Sequence, residues 1–186
     1  MPPTPVPAPK VRELRELASL STRDFEVAVG PFVLVQRPPD PLLQKIALHT
    51  AGARTVGMVH RSRMTEQLLE MTARFEHLQV IAPRPTQRLQ ELTVGRLPES
   101  DLPVLEPSVS ARHALLRWRG DDETVWLRDL GSTNGTFVNA TEIGQREVVL
   151  ADTDTLCFGD AQFLFLEAET FRTHLITAAQ REMERR

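Results

Sequence analysis

The stretch LRDLGSTNGTFVN, Leu127 to Asn139, decides how this chain is read. It closes an alternating run, Thr124 to Asp129, passes through the small polar residues Gly131, Ser132, Thr133, Asn134 and Gly135, and resumes as a second run, Thr136 to Asn139. Alternation of apolar and polar residues predicts strands, because successive side chains of a strand face opposite ways. Glycine and asparagine supply the backbone freedom a tight loop needs. Outward from this unit the same texture repeats: Leu78 to Ala82, Leu89 to Val94, His113 to Trp118, Glu147 to Leu150, Thr155 to Phe158 and Gln162 to Glu167. Pro, Gly, Asp or Asn separates the runs at intervals of about 8 to 12 residues, the spacing of a β-sandwich. Gly120-Asp121-Asp122 is a hairpin signal.

The flanks read differently. Residues 1–9, MPPTPVPAP, carry alternating prolines and are expected to be extended and unpacked. Val11, Leu14, Leu17 and Ala18 have helical spacing, whereas Phe25, Val27 and Val29 alternate and Phe32 to Val35 run continuously, both strand signals. A weak strand is expected at Thr55 to Val59. From Ser62, an N-cap, Met64, Leu68, Met71 and Phe75 share one helical face, a pattern of core packing. Glu169 to Arg186 lacks Pro and Gly and reads as a mostly solvated helix. The expected fold class is mainly β: a sandwich over 75–168, preceded by a small α/β extension of unknown role over 10–74 and followed by a C-terminal helix over 169–186.

Composition limits the function. The 186 residues have 41% hydrophobic and 25% charged content, close to globular averages, and no apolar run approaches the ~20 residues of a membrane helix. A net charge of −3 disfavours nucleic acid as a partner, since such binding depends on many Lys and Arg contacts to phosphates. Lysine occurs only at Lys10 and Lys45 and arginine elsewhere, which fits a GC-rich bacterial genome. The N-terminus has no basic segment followed by an apolar core, and the single cysteine, Cys157, forms no internal disulfide; both suggest a cytoplasmic protein.

Three motifs hold the chemistry: Gly95-Arg96 ending a strand, Ser110-Ala111-Arg112-His113 opening another, and Gly131 to Thr136 in the loop. A threonine phosphate offers close to two negative charges and three acceptor oxygens, so its site requires a fixed cation and hydroxyl or amide donors from several loops. Arg96, Ser110 and Thr133 supply that inventory. The planar arginine fork meets phosphate at a lower ordering cost than lysine.

In this order, with Leu127-Arg128-Asp129-Leu130 before the loop and Phe158-Gly159-Asp160 near the end, these motifs resemble a forkhead-associated (FHA) domain over roughly Phe75 to Glu167, about half the chain. The resemblance implies that Arg96 and Ser110 hold the phosphate of a phosphothreonine, that Thr133 adds a hydroxyl bond, and that Asn134 bonds the peptide backbone. It makes His113 a brace for the loop carrying Ser110. Gly95 stiffens the arginine, and Gly131 and Gly135 permit positive φ. Ser132 either caps the turn or touches phosphate. Ala111 stands where relatives often have a long polar residue, and Ser108 where some have a basic one that selects acidic residues. Arg112 either takes over part of that role or faces solvent.

The implied function is a non-enzymatic, phosphothreonine-dependent adaptor in Ser/Thr kinase signalling, its partner a phosphorylated protein such as a kinase or its substrate. The alternative is a phosphorylation-independent domain that scaffolds a complex. No nucleophile, base and orienting group can be named together, and no cofactor is implied. Asp152, Asp154 and Asp160 lack the glycine and glutamate of an EF-hand and read as turn caps. The histidines show no zinc spacing, Gly131 to Thr136 lacks the Gly-Lys ending of a nucleotide loop, and Cys157 reads as core. Thr22, in SLSTRDFE, is a candidate self-ligand.

Overall fold

The alternating runs pair into two sheets. In a computed structural model, residues 9–37, 78–83, 91–119 and 124–183 are described. The strands are β1 (Phe32–Arg37), β2 (Val80–Ile81), β3 (Glu91–Gly95), β4 (Leu102–Pro103), β5 (Ala114–Arg119), β6 (Thr124–Asp129), β7 (Thr136–Val138), β8 (Thr141–Glu142), β9 (Val148–Leu150), β10 (Thr155–Phe158) and β11 (Ala161–Glu167). One sheet has the order β2-β1-β11-β10-β7-β8, the other β4-β3-β5-β6-β9. Leu34, Phe163, Phe165, Leu156 and Phe158 of the first face Leu92, Val94, Leu116 and Leu127 of the second in one buried core. Each such side chain stabilises the sandwich by about 1.5 to 3 kcal/mol on burial.

β1 arises within the stretch 10–74 yet pairs with β11 along its whole length, from Phe32↔Glu167 to Arg37↔Gln162. A strand of the extension is therefore hydrogen-bonded into the sandwich. β4 and β8 carry no alternating run that a sequence reading could detect. They are two-residue edge strands, and β4 even includes Pro103 while lying parallel to β3.

The outer face of β1, β2 and β11 is covered by helices. Val11–Leu14 form α1, Arg15–Ser19 a 3₁₀ helix, Thr22–Val29 α2 and Ala168–Met183 α3. The strand expected at Phe25 to Val29 is corrected: the segment is helical. Phe25 and Val29 are four apart and both buried, whereas Val27 between them is 65% exposed. The Ser21 side chain accepts from the Asp24 N–H at 3.2 Å, capping the first turn. Gly30 ends the helix at φ +102°, a conformation that disfavours side chains.

α3 is likewise not mostly solvated. Ala168, Phe171 and Leu175 join Val11, Leu14, Phe25, Val33, Val35, Leu164 and Leu166 in a second buried core. Asp152 fastens its start, accepting from the Glu167 N–H (2.9 Å) and the Thr170 hydroxyl (2.7 Å). Arg172 Nε donates to the Leu20 carbonyl at 2.9 Å, tying α3 to the N-terminal helices. Of the tail expected at 1–9, residues 1–8 lie outside the described residues, as do the strand expected at Thr55 to Val59, the helix from Ser62 to Phe75 and the turn at Gly120 to Asp122; Pro9 is tied down, its carbonyl accepting from the Val80 N–H at 2.9 Å.

Candidate functional site

The loops after β3, before β5 and between β6 and β7 meet at one end of the sandwich. Val94 of β3 lies opposite Ala114 of β5, which lies opposite Asp129 of β6. Beyond this row the three strands end together. The Arg96 N–H donates to the Ser110 carbonyl (2.9 Å), and the His113 N–H to the Val94 carbonyl (2.8 Å). Arg96 is exposed, and its Nε donates to the Val109 carbonyl at 3.1 Å. That bond orients the guanidinium and leaves its terminal nitrogens for a ligand.

Gly95 owes its place to close approach instead of stiffening. A Cβ there would lie 2.1 Å from the Ala111 carbonyl oxygen, a distance no side chain tolerates. The backbone before β5 crosses directly over β3 at this point, which is how Ser110 comes beside Arg96.

Ser110 and Thr133, 23 residues apart, face one another. Ser110 Oγ accepts from the Thr133 N–H at 3.0 Å and lies 3.4 Å from Thr133 Oγ1. His113, fully buried, holds both loops. Its Nδ1 accepts from the Ser110 N–H (3.1 Å), so the proton sits on Nε2, which donates to the Gly135 carbonyl (3.0 Å). Burial pushes this imidazole below its ordinary pKa, against the opposing pull of the Gly135 carbonyl and the Asp129 charge. The ring is a neutral brace.

Asp129 was given no role from sequence, yet it organises the loop. One oxygen accepts from the Gly131 and Ser132 N–H groups (2.7 and 2.9 Å), the other from the Ser132 and Thr136 hydroxyls (both 2.6 Å). Burial alone would push its carboxyl up. The hydrogen bonds from Ser132, Thr136 and Gly131 outweigh burial and hold it below the ordinary value. The signal in the sequence was an Asp two residues before a glycine, the pattern of an Asx-type turn. Gly131 and Gly135 take φ +79° and +76°.

Two of the further candidate contacts are used internally. Ser132 turns its hydroxyl onto Asp129, and Ser108 joins loops: its carbonyl accepts from Asn134 Nδ2 (2.7 Å) and its hydroxyl from the Asp160 N–H (2.9 Å). A Cβ on Gly159 would meet the Ser108 carbonyl at 2.6 Å, so that turn also needs glycine. Asn134 is exposed, and its Nδ2 is the group engaged by the Ser108 carbonyl. Ala111 contributes backbone alone, and Arg112 is exposed beside it.

Other candidates fall away from this end. Asp154 accepts from the Ala151 N–H and Asn139 Nδ2, a turn brace. Cys157, expected in the core, is instead half-buried on the outer face of its sheet, and burial pushes its thiol up to about 11, which keeps it protonated and unreactive near neutral pH. Thr22 is the first residue of α2, so an extended ligand built on it requires that helix to open. Among the described residues no cluster of His, Cys, Asp or Glu could hold a metal ion, and no helix is long and apolar enough to cross a membrane.

Two packed sheets whose loops gather an arginine fork and two hydroxyls at one end make up a sandwich of the FHA class. Residues 92–159 match the FHA domain family. The chain therefore carries an FHA domain, and its relatives include bacterial proteins. It is 37% identical over 75 residues to the oxoglutarate dehydrogenase inhibitor of Corynebacterium diphtheriae, covering 40% of this chain and 50% of that one. It is 38% identical over 74 residues to the glycogen accumulation regulator GarA of Mycolicibacterium smegmatis, covering 40% and 44%. The chain thus spans about half the length of the curated relatives it matches. Among solved structures, the FHA domain of FhaA, complexed with the intracellular domain of another protein, is 32% identical, with 43% of this chain and 84% of that one covered and a TM-score of 0.39. An FHA domain solved in work on phosphothreonine-dependent interactions is 28% identical over 49% of this chain and 84% of that one, with a TM-score of 0.40.

Proposed function

We propose that this protein is a non-enzymatic adaptor that binds a partner through a phosphothreonine made by a Ser/Thr protein kinase. The observation that carries the reading is the convergence of Arg96, Ser110 and Thr133 at one loop rim, with His113 and Asp129 fixing the backbone beneath them. Arg96 would bind two phosphate oxygens with its terminal nitrogens. Ser110 and Thr133 would trade their mutual contact for bonds to phosphate, and Asn134 Oδ1 would accept from a peptide N–H. The regulators among the relatives, an enzyme inhibitor and a glycogen accumulation regulator by name, support a binding role.

Two or three charge-assisted bonds at about 1.5 to 3 kcal/mol each, reduced by the cost of association, give roughly micromolar affinity. Calorimetric titration of a degenerate phosphothreonine library against its unphosphorylated counterpart tests this. Phosphorylated peptides are expected to bind and Arg96→Ala to abolish binding, with Ser110→Ala weakening it less. Equal binding of both libraries, or unchanged binding by Arg96→Ala, would refute the proposal and favour a phosphorylation-independent scaffold.

A further inference from the structure

The chain has two asparagines, Asn134 and Asn139, and the fold holds them in different ways. An asparagine amide is chemically labile, because the backbone nitrogen of the next residue can attack its carbonyl carbon and expel ammonia. Three things slow that attack: hydrogen bonds that fix the amide, a side chain on the following residue, and an acceptor that commits the following N–H.

Asn139 has the first two protections. Its Nδ2 donates to Asp154 Oδ1 at 2.7 Å and its Oδ1 accepts from the Thr155 N–H at 3.0 Å, so both ends of the amide are fixed. The next residue, Ala140, carries a methyl group beside its nitrogen. Asn134 lacks most of this. Gly135 follows it with no side chain, and the Gly135 N–H has no hydrogen-bond partner among the described residues. Asn134 is exposed on a loop that water reaches. A single bond restrains its amide, from Nδ2 to the Ser108 carbonyl at 2.7 Å. One neutral hydrogen bond open to solvent slows the attack by about ten-fold at most.

We infer that Asn134 is a deamidation site, and that its conversion switches the loop off. The Gly135 nitrogen bonds to Asn134 Cγ, the Cγ–Nδ2 bond breaks, and the displaced proton ends on the departing ammonia, leaving a cyclic imide. Water then opens the imide at either carbonyl, giving an aspartate or an iso-aspartyl linkage. One water is consumed and one ammonia released, with no change of oxidation state. A carboxylate at position 134 has no proton to donate, so the bond to the Ser108 carbonyl is lost and two oxygens oppose one another. The new charge sits one residue from Thr133 and repels a dianionic ligand. The iso-aspartyl form also lengthens the backbone ahead of Gly135, whose carbonyl accepts from His113 Nε2 (3.0 Å) and the Gly159 N–H (3.1 Å). The loss of ligand rests on the phosphothreonine reading above; the conversion itself does not.

The test incubates the full chain for days at mildly alkaline pH and maps its peptides by mass spectrometry, with fragmentation that separates aspartyl from iso-aspartyl linkages. Conversion is expected at Asn134 ahead of Asn139, and the urea-unfolded chain, in which neither amide is held, sets the upper rate. An intact Asn134 in the folded chain at the time the unfolded chain has converted there overturns the site. Equal conversion of Asn139 in the folded chain overturns the structural argument for it. The separated deamidated protein and the Asn134→Asp variant are each expected to bind phosphothreonine peptides roughly ten-fold more weakly than the unmodified chain, or worse. Unchanged binding by both overturns the switch. Failure of the unmodified chain to bind any phosphopeptide overturns the phosphothreonine reading instead, and leaves the conversion seen by mass standing.

Discussion

Asp129 offers the sharpest test of how the site is built. Asp129→Ala removes a carboxylate that accepts four hydrogen bonds. Bonds to a charged acceptor contribute about 1.5 to 3 kcal/mol each, but four sharing one group do not add in full. The Gly131 and Ser132 N–H groups lie on an exposed loop where water replaces the lost acceptor. The Thr136 hydroxyl, on a fully buried residue, has no such replacement, and stranding it costs about 1 to 3 kcal/mol. The expected loss is about 3 to 5 kcal/mol, a large share of a domain's ~5 to 15 kcal/mol. Asp129→Asn keeps an acceptor for the two N–H groups and forces the two hydroxyls to reverse, so about 1 to 2 kcal/mol is expected.

Urea unfolding at neutral pH measures both, read as a shift in midpoint at constant slope. The acid limb adds an independent check. Because the folded carboxyl titrates below its ordinary value, its contribution is complete above the unfolded pKa of about 3.9 and is lost as pH falls through the lower folded value. Asp129→Asn should flatten that part of the limb. A wild-type-like midpoint for Asp129→Ala, or an unchanged acid limb for Asp129→Asn, would refute the assignment of Asp129 as the organiser of the loop.

Three further outcomes follow from the same geometry. Gly95→Ala should displace the Ala111 carbonyl by about 1 Å, destabilise by about 1 to 3 kcal/mol and weaken phosphopeptide binding, as urea unfolding and titration will show. His113, with its pKa lowered by burial, should make stability fall as pH drops through the unfolded value of about 6.5, since only the unfolded chain takes up the proton there. His174, lowered by burial as well, adds an effect of the same sign, so the share lost in His113→Gln, measured by unfolding between about pH 7.5 and 5.5, isolates the loop histidine. Phe171→Ala should cost about 3 to 5 kcal/mol in thermal or urea unfolding yet leave phosphopeptide affinity intact, because it empties the helical layer on the sheet face away from the loops.

Much of the sandwich was legible because strands and tight loops leave local marks. Thr124 to Asp129 and Thr155 to Phe158 form strands over the very residues their alternation outlines, and the neighbouring runs shift by a residue or two. Phe25, Val27 and Val29 misled because their spacing satisfies both periods: i, i+2, i+4 lines one strand face, and i, i+4 one helix face. The capping serine, the packing of Phe25 against Phe171 of α3 and the burial of Val29 in the same core settle the competition for the helix.

By itself the sequence determined the two-period texture, the positions of the turns and the chemical inventory of Arg96, Ser110, Thr133 and Asn134, since each is written in adjacent residues. Only the tertiary structure decided where backbones cross and which polar groups were already engaged. It showed that Gly95 makes room for the Ala111 carbonyl, that Ser108 and Ser132 hold loops together, that Asp129 anchors the site, and that α3 covers a sheet face. Each of these rests on partners brought together by folding, and residue spacing within a single segment carries no record of a contact made across strands.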